Sequence, residues 1–281
     1  MSFFTSFDKI MRITSEKDCI IGGFNVYGID DATAVVFAAE ELNVPVVLMV
    51  GDFALQTTSL ENWADILNAL AERASVPVCV HFDHAVDEAT VVRAVKAGYD
   101  SVMFNGSRLP LEENISITRR LVNYIHASGL IAEAGVGYKR RGCDDNKCNM
   151  TNPSEAKQFV EETRADWVAV SVSDAHEMKS QTTATDFELL EEIQAAVSVP
   201  LVIRDYAGIS AKDMKKLRKT SVSKINIDTA LRMEFGKTLH EVIKKNAGVF
   251  DRCELLKEPV FRLQTVAKTK MQLLGLEGFF N

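Results

Sequence analysis

The segment from Ser75 to His84, Ser-Val-Pro-Val-Cys-Val-His-Phe-Asp-His, places two imidazoles and a carboxylate at the end of an apolar run. Imidazole and carboxylate together are the groups of proton transfer and of metal ligation. Val76 to Val80 is β-branched and entered through a proline, as in a parallel strand covered on both faces. Strand alternation then sends His81 and Asp83 to one side and His84 to the other, unless the strand bends. Two readings are open on these residues alone. They are core or rim histidines satisfied by backbone, or they are chemistry emerging at a strand exit, where α/β folds keep their active sites.

What must position them follows from the rest of the chain. Its 281 residues, 47% hydrophobic and 25% charged, suit one barrel-sized domain spanning 1–281. The net charge of -7, with no basic run longer than Lys139-Arg140-Arg141, argues against nucleic acid. No long uncharged apolar window argues for a membrane span, and the first residues lack the pattern of a secretory leader, so a cytoplasmic location is expected. Cys19 and Cys79 fall in apolar runs and read as reduced buried thiols. Cys143 and Cys148 share a polar loop, and their spacing, without a second pair, reads as loop thiols rather than a zinc site.

Taken in order, apolar runs at 19–26, 44–50, 76–80, 101–106, 130–136, 167–172, 199–203 and 224–229 alternate with segments of helical spacing. A tail helix is expected over 258–274. Eight buried strands alternating with helices predict an α/β fold, a (β/α)8 TIM barrel. The strand exits then gather Asn25, Asp83 with His84, Asn105, Glu133, His176, Arg204 with Asp205, and Asn226 with Asp228 around one rim. In this fold that rim carries function.

These residues resemble the class II fructose-bisphosphate aldolases, particularly the tagatose-bisphosphate branch, over nearly the whole chain. The landmarks are Gly23-Phe-Asn-Val26, Val76-Pro-Val-x-x-His-Phe-Asp-His84, Ser101-Val-Met-x-x-Gly-Ser107, Pro110-Leu-Glu-Glu-Asn114, Thr151-x-Pro-x-Glu-Ala156, Val199-Pro-Leu-Val202 and Lys224-Ile-Asn-Ile-Asp-Thr229. The resemblance implies a divalent ion, usually zinc, held by three histidines, polarising a ketose phosphate carbonyl and stabilising the enediolate left by C–C cleavage. It makes Asp83 the acid/base and His84 and His176 two metal ligands. It makes Asn226 and Asp228 substrate-binding positions, and Asn25, Arg204 and Thr229 at the same rim are expected to bind substrate with them. A homodimer or homotetramer and a small sugar or keto-acid substrate are further expectations.

The third histidine is absent. Where the family reads Leu-His-Gly-Gly-Ser-Gly, this chain reads Ile203-Arg204-Asp205-Tyr206-Ala207-Gly208. A guanidinium has no lone pair for zinc and repels a neighbouring ion. The same change removes the glycines and serine that cradle a phosphate. Asn105 stands for a family aspartate, Gly135 for a glutamate and Glu177 for a glycine, so the losses fall on metal and phosphate elements while Asp83, His84 and His176 survive. The expected function is an aldolase-like lyase using metal-assisted retro-aldol chemistry. The alternatives are a metal-independent enzyme with Arg204 as electrophile for an anion or enolate, and a silent paralogue serving as partner subunit.

Overall fold

The computed structural model describes residues 3–137, 150–172, 185–204 and 209–280. Eight parallel strands close into a barrel in chain order, the last pairing with the first. They are β1 (Ile21–Asn25), β2 (Val46–Val50), β3 (Val78–Ala85), β4 (Ser101–Phe104), β5 (Ile131–Gly135), β6 (Trp167–Val170), β7 (Leu201–Ile203) and β8 (Val222–Ile227). The helices are α1 (Phe3–Ile13), α2 (Ile29–Leu42), α3 (Leu60–Arg73), α4 (Glu88–Ala97), α5 (Leu111–Ala127), α6 (Pro153–Thr163), α7 (Phe187–Ala196), α8 (Ala211–Leu217), α9 (Thr229–Lys245) and α10 (Arg252–Leu273). The chain is a (β/α)8 TIM barrel.

Local chemistry sets the helix starts. Ser59 accepts from the Asn62 amide, Asn152 from Ser154 and Glu155 ahead of Pro153 at the first helical position, and Ser210 exchanges bonds with Asp213. Every residue of β2, β5 and β8 is buried, because helices cover the outer face and side chains fill the inner one. At the N-terminal end of the barrel, Phe7 of α1 packs on Trp167 with ring centroids 6.5 Å apart.

Two boundaries differ most from the pattern in the sequence. The strand expected to end at Val80 continues to Ala85, carrying His81, Asp83 and His84 inside it. The tail helix starts at Arg252, not near Glu258, because Asp251 caps it by accepting from Cys253 and Glu254 and the helix tolerates Pro259 in its interior. The loop around Cys143 and Cys148, with His176, Glu177 and Asp205 to Gly208, lies outside the described residues.

Candidate active site

The site grows from an irregularity in β3. Pairing with β4 is regular at His81↔Ser101 and Phe82↔Val102, then slips so that Ala85 opposes Phe104. His84 takes up the slip in a left-handed conformation, φ 62°. The strand therefore bends, as bulged strands do, and re-aims a side chain at the rim. Strict alternation would separate Asp83 from His84; instead His84 Nδ1 stands 2.6 Å from Asp83 Oδ1. The carboxylate thus fixes the ring nitrogen it touches and leaves Nε2 as the other nitrogen of the ring. Across β2, Asn25 at the end of β1 donates from Nδ2 to Asp83 Oδ2 at 3.1 Å.

Asp83 is almost fully buried. Burial works to raise its pKa, but the His84 charge and hydrogen bond, with His81 and Lys224, outweigh that and hold the carboxyl well below the ordinary range. It is ionised at neutral pH, with its geometry set from two sides.

His81 is not a rim residue. Its side chain is fully buried, with Nδ1 2.6 Å from Ser101 Oγ and its ring stacked near Trp167. Burial pushes its pKa well below the usual histidine value, and Lys224 pushes the same way. Glu133, expected on the rim, is also internal. β5 places it inward, where Lys224 of β8 pairs with it at 2.7 Å, both side chains fully buried. Lys224 also points at Met49 Sδ (3.6 Å) and lies over the Trp167 ring. His81 Nε2 stands 3.8 Å from Asp83 and 3.9 Å from Glu133, so a charged layer lies directly beneath the acid/base candidate. A lysine at an inward position of one apolar strand and a glutamate in another are the sequence signal for this pair.

Above that layer, a cleft of about 310 Å³ is lined by Asn25, Tyr27, Gly51, Asp52, Phe53, Asp83, His84, Arg204, Asp228 and Thr229. Six sequence-predicted residues thus meet: Asn25, Asp83, His84, Arg204, Asp228 and Thr229. Asn226 does not reach this surface; it is buried in β8, two residues from the cleft-lining Asp228. His176 lies outside the described residues. The sequence did not single out Tyr27, Phe53 or Arg232. Tyr27 donates from its hydroxyl to Asp228 Oδ1 at 2.7 Å, while Arg232, one turn along α9, reaches Asp228 Oδ2 at 3.5 Å and covers the Tyr27 and Phe53 rings. The four-residue spacing of Asp228 and Arg232 at a helix start was the available clue.

On the opposite arc, Arg204 follows the last residue of β7. Its guanidinium donates to Ser107 Oγ and to the Ala169 carbonyl, each at 3.3 Å. Among the described residues no group of three or more His, Cys, Asp or Glu could hold a metal ion.

The model of class II fructose-bisphosphate aldolases matches residues 5–279. The chain belongs to the class II fructose-bisphosphate aldolase family. Among solved structures it is similar to the YdjI aldolase of Escherichia coli K12, at 29% identity and TM-score 0.87 over 98% of both chains. It is also similar to a candidate fructose-1,6-biphosphate aldolase from Coccidioides immitis, at 25% identity and TM-score 0.83 over 96% of both chains. The fructose-bisphosphate aldolase of Campylobacter jejuni, at 20% identity and TM-score 0.83, covering 99% of this chain and 96% of its own, shares the fold. The protein is an aldolase-like lyase. Family members are typically zinc-dependent. His84, backed by Asp83, suits a ligand, but the guanidinium of Arg204, at the position where the resemblance expects a third histidine, does not fit a three-imidazole zinc site.

Proposed function

We propose that this aldolase-family lyase makes or breaks a C–C bond in a small sugar phosphate or keto-acid derivative, with Asp83 moving the proton and Arg204 receiving a substrate anion. The observation that carries this reading is the Asn25–Asp83–His84 cluster at the floor of a cleft that Arg204 enters from the other side. In the cleavage direction the ionised carboxylate of Asp83 accepts the proton of the hydroxyl next to the scissile bond. That oxygen becomes a carbonyl, and the electrons of the broken bond move to the neighbouring carbonyl as an enolate. In the reverse direction Asp83 returns the proton to the aldehyde oxygen. Asn25 keeps the carboxylate oriented, and Asp228 and Thr229, on the wall beyond Asp83, bind substrate hydroxyls, with Asn226 beneath them.

The guanidinium is planar, permanently charged and forked, which suits a carboxylate, phosphate or enolate oxygen. It does not suit a zinc neighbour. We therefore assign His84 and His176 as the imidazoles that would hold a zinc ion, with no third imidazole supplied from position 204. The assembly expected is a homodimer or homotetramer, acting in the cytoplasm on a small molecule. No helix among the described residues is long and apolar enough to cross a membrane.

A panel of phosphorylated ketoses and hydroxylated 2-keto acids, assayed for aldehyde release, tests the function. Turnover of one compound that is lost in Asp83→Asn supports it. Turnover undiminished in that variant removes Asp83 from its role.

A further inference from the structure

Gly135 closes β5 with ordinary extended backbone, so no left-handed conformation calls for glycine there. Glycine inside a strand has an entropic cost and no side chain to pack, and it often marks a close approach by another group. That group is visible. A Cβ built on Gly135 would stand 2.9 Å from Nη2 and 3.4 Å from Cζ of Arg204, and 2.8 Å from Asn105 Oδ1. Asn105 in turn accepts from Ser107 Oγ at 2.6 Å, which commits the hydroxyl hydrogen and turns an oxygen lone pair towards Nη1 of Arg204. Asn114 holds the Gly135 carbonyl from outside the barrel, donating at 3.0 Å.

We propose that Gly135, Asn105 and Ser107 form a seat for the Arg204 guanidinium and so fix the place at which this cleft receives an oxyanion. The proposal rests on the reading of Arg204 as the anion-receiving group. The two departures from the family pattern, Gly135 and Asn105, are then parts of one change. A glutamate at 135 would fill the volume the guanidinium uses, and an amide at 105 orients the serine without adding a second carboxylate. Because the atoms nearest the added Cβ, Asn105 Oδ1 and Arg204 Nη2, are both side-chain tips and neither is backbone, Gly135→Ala should displace the guanidinium and its amide neighbour with little disturbance to the barrel. Gly135, Asn105 and Ser107 are positioning residues; Arg204 makes the contact.

The test is a double-mutant cycle read by calorimetric titration with pyruvate, as the carboxylate probe, and dihydroxyacetone phosphate, as the phosphate probe. The proteins are the unmodified chain, Gly135→Ala, Arg204→Gln and the double variant. For at least one probe, Arg204→Gln is expected to weaken binding about tenfold or more. Gly135→Ala is expected to weaken it by about fivefold or more when Arg204 is present, and by less than about twofold when it is Gln. Ser107→Ala, which adds no bulk, should weaken the same probe by a smaller factor, again only with Arg204 present. Which probe responds identifies the anion. Equal losses from Gly135→Ala in both backgrounds, or none in either, overturn the seat while leaving Arg204 its role. Binding unaffected by Arg204→Gln, or absent from the unmodified protein for both probes, overturns the anion-receiving reading and the seat with it.

Discussion

The two arcs of the cleft are built by different means. On the arc of β1, β3 and β8, charged and polar side chains meet at 2.6–3.1 Å: His84 on Asp83, Asn25 on Asp83, Tyr27 on Asp228. On the arc of β4, β5 and β7 a guanidinium rests on a hydroxyl and a backbone carbonyl at 3.3 Å, in space left by a glycine. The first arc also has His81 beneath it, beside the buried Lys224–Glu133 pair that ties β8 to β5 of the other arc. The contrast separates two demands of the chemistry. Proton transfer needs a carboxylate whose position is determined from several sides, whereas receiving an anion needs a fixed charge with room around it. One arc can therefore be rebuilt while the other is retained.

If the tight arc is held from below, the largest effect should come from its foundation. Lys224→Met leaves Glu133 buried without its partner and should cost about 3–5 kcal/mol in urea unfolding. Adding Glu133→Leu should restore much of that loss. A single variant within 1 kcal/mol of the unmodified protein, by order of magnitude, would mean that the pair supports nothing above it.

Asp83→Asn should lower turnover by about 10²-fold or more while the barrel still folds, and because the buried carboxylate is held ionised by its neighbours it should lower the melting temperature as well. Asn105→Asp, on the other arc, should act mainly on KM. Steady-state kinetics on both variants would erase the contrast if kcat fell equally in each.

The arcs should also differ towards metal. The purified protein is expected to carry clearly less than one equivalent of zinc, and Arg204→His to raise the occupancy in the same buffer, since it exchanges a repelling charge for a ligand. Elemental analysis decides. A full equivalent in the unmodified protein that disappears with His84→Ala would show that Arg204 leaves the ion undisturbed.

The smallest effect concerns acid. His81 is held neutral, its folded pKa depressed, so its contribution to stability is present above the unfolded value near 6.5 and is lost as pH falls towards the folded value. Below about pH 6.5 stability should fall by up to roughly 1.4 kcal/mol per pH unit from this residue. His81→Gln should flatten that slope in urea midpoints measured between pH 7.5 and 5. An unchanged slope would place the acid sensitivity elsewhere, with Glu133 acting in the opposite direction, since burial raises its pKa and the ionised form is favoured less in the fold.

The barrel was legible because eight apolar runs and their helical partners obey two simple periods, and Asn152-Pro153 and Ser59 announce helix starts in their own chemistry. The candidate site was legible at polar residues of strand ends that the fold brings to one cleft: Asn25, Asp83, His84 and Arg204. What escaped were contacts across the barrel. Glu133 reads as a rim acid because nothing within its own strand reveals Lys224, 91 positions later, as its partner. The bend that brings His84 onto Asp83 has no glycine to mark it. In the sequence Gly135 reads as a loss, and only the position of Arg204 shows what the missing side chain makes room for.

Among the described residues, four that are not glycine hold a positive φ: Asp18, Asn43, His84 and Arg164. Three of them end helical segments, where such a conformation closes the last turn. His84 alone sits within a strand, in a conformation that costs an ordinary L-residue roughly 1–2 kcal/mol. Glycine or asparagine there would relieve that cost but remove the imidazole that holds the buried Asp83 ionised, so laboratory evolution of this enzyme should be carried out under a demand for turnover, which keeps both groups.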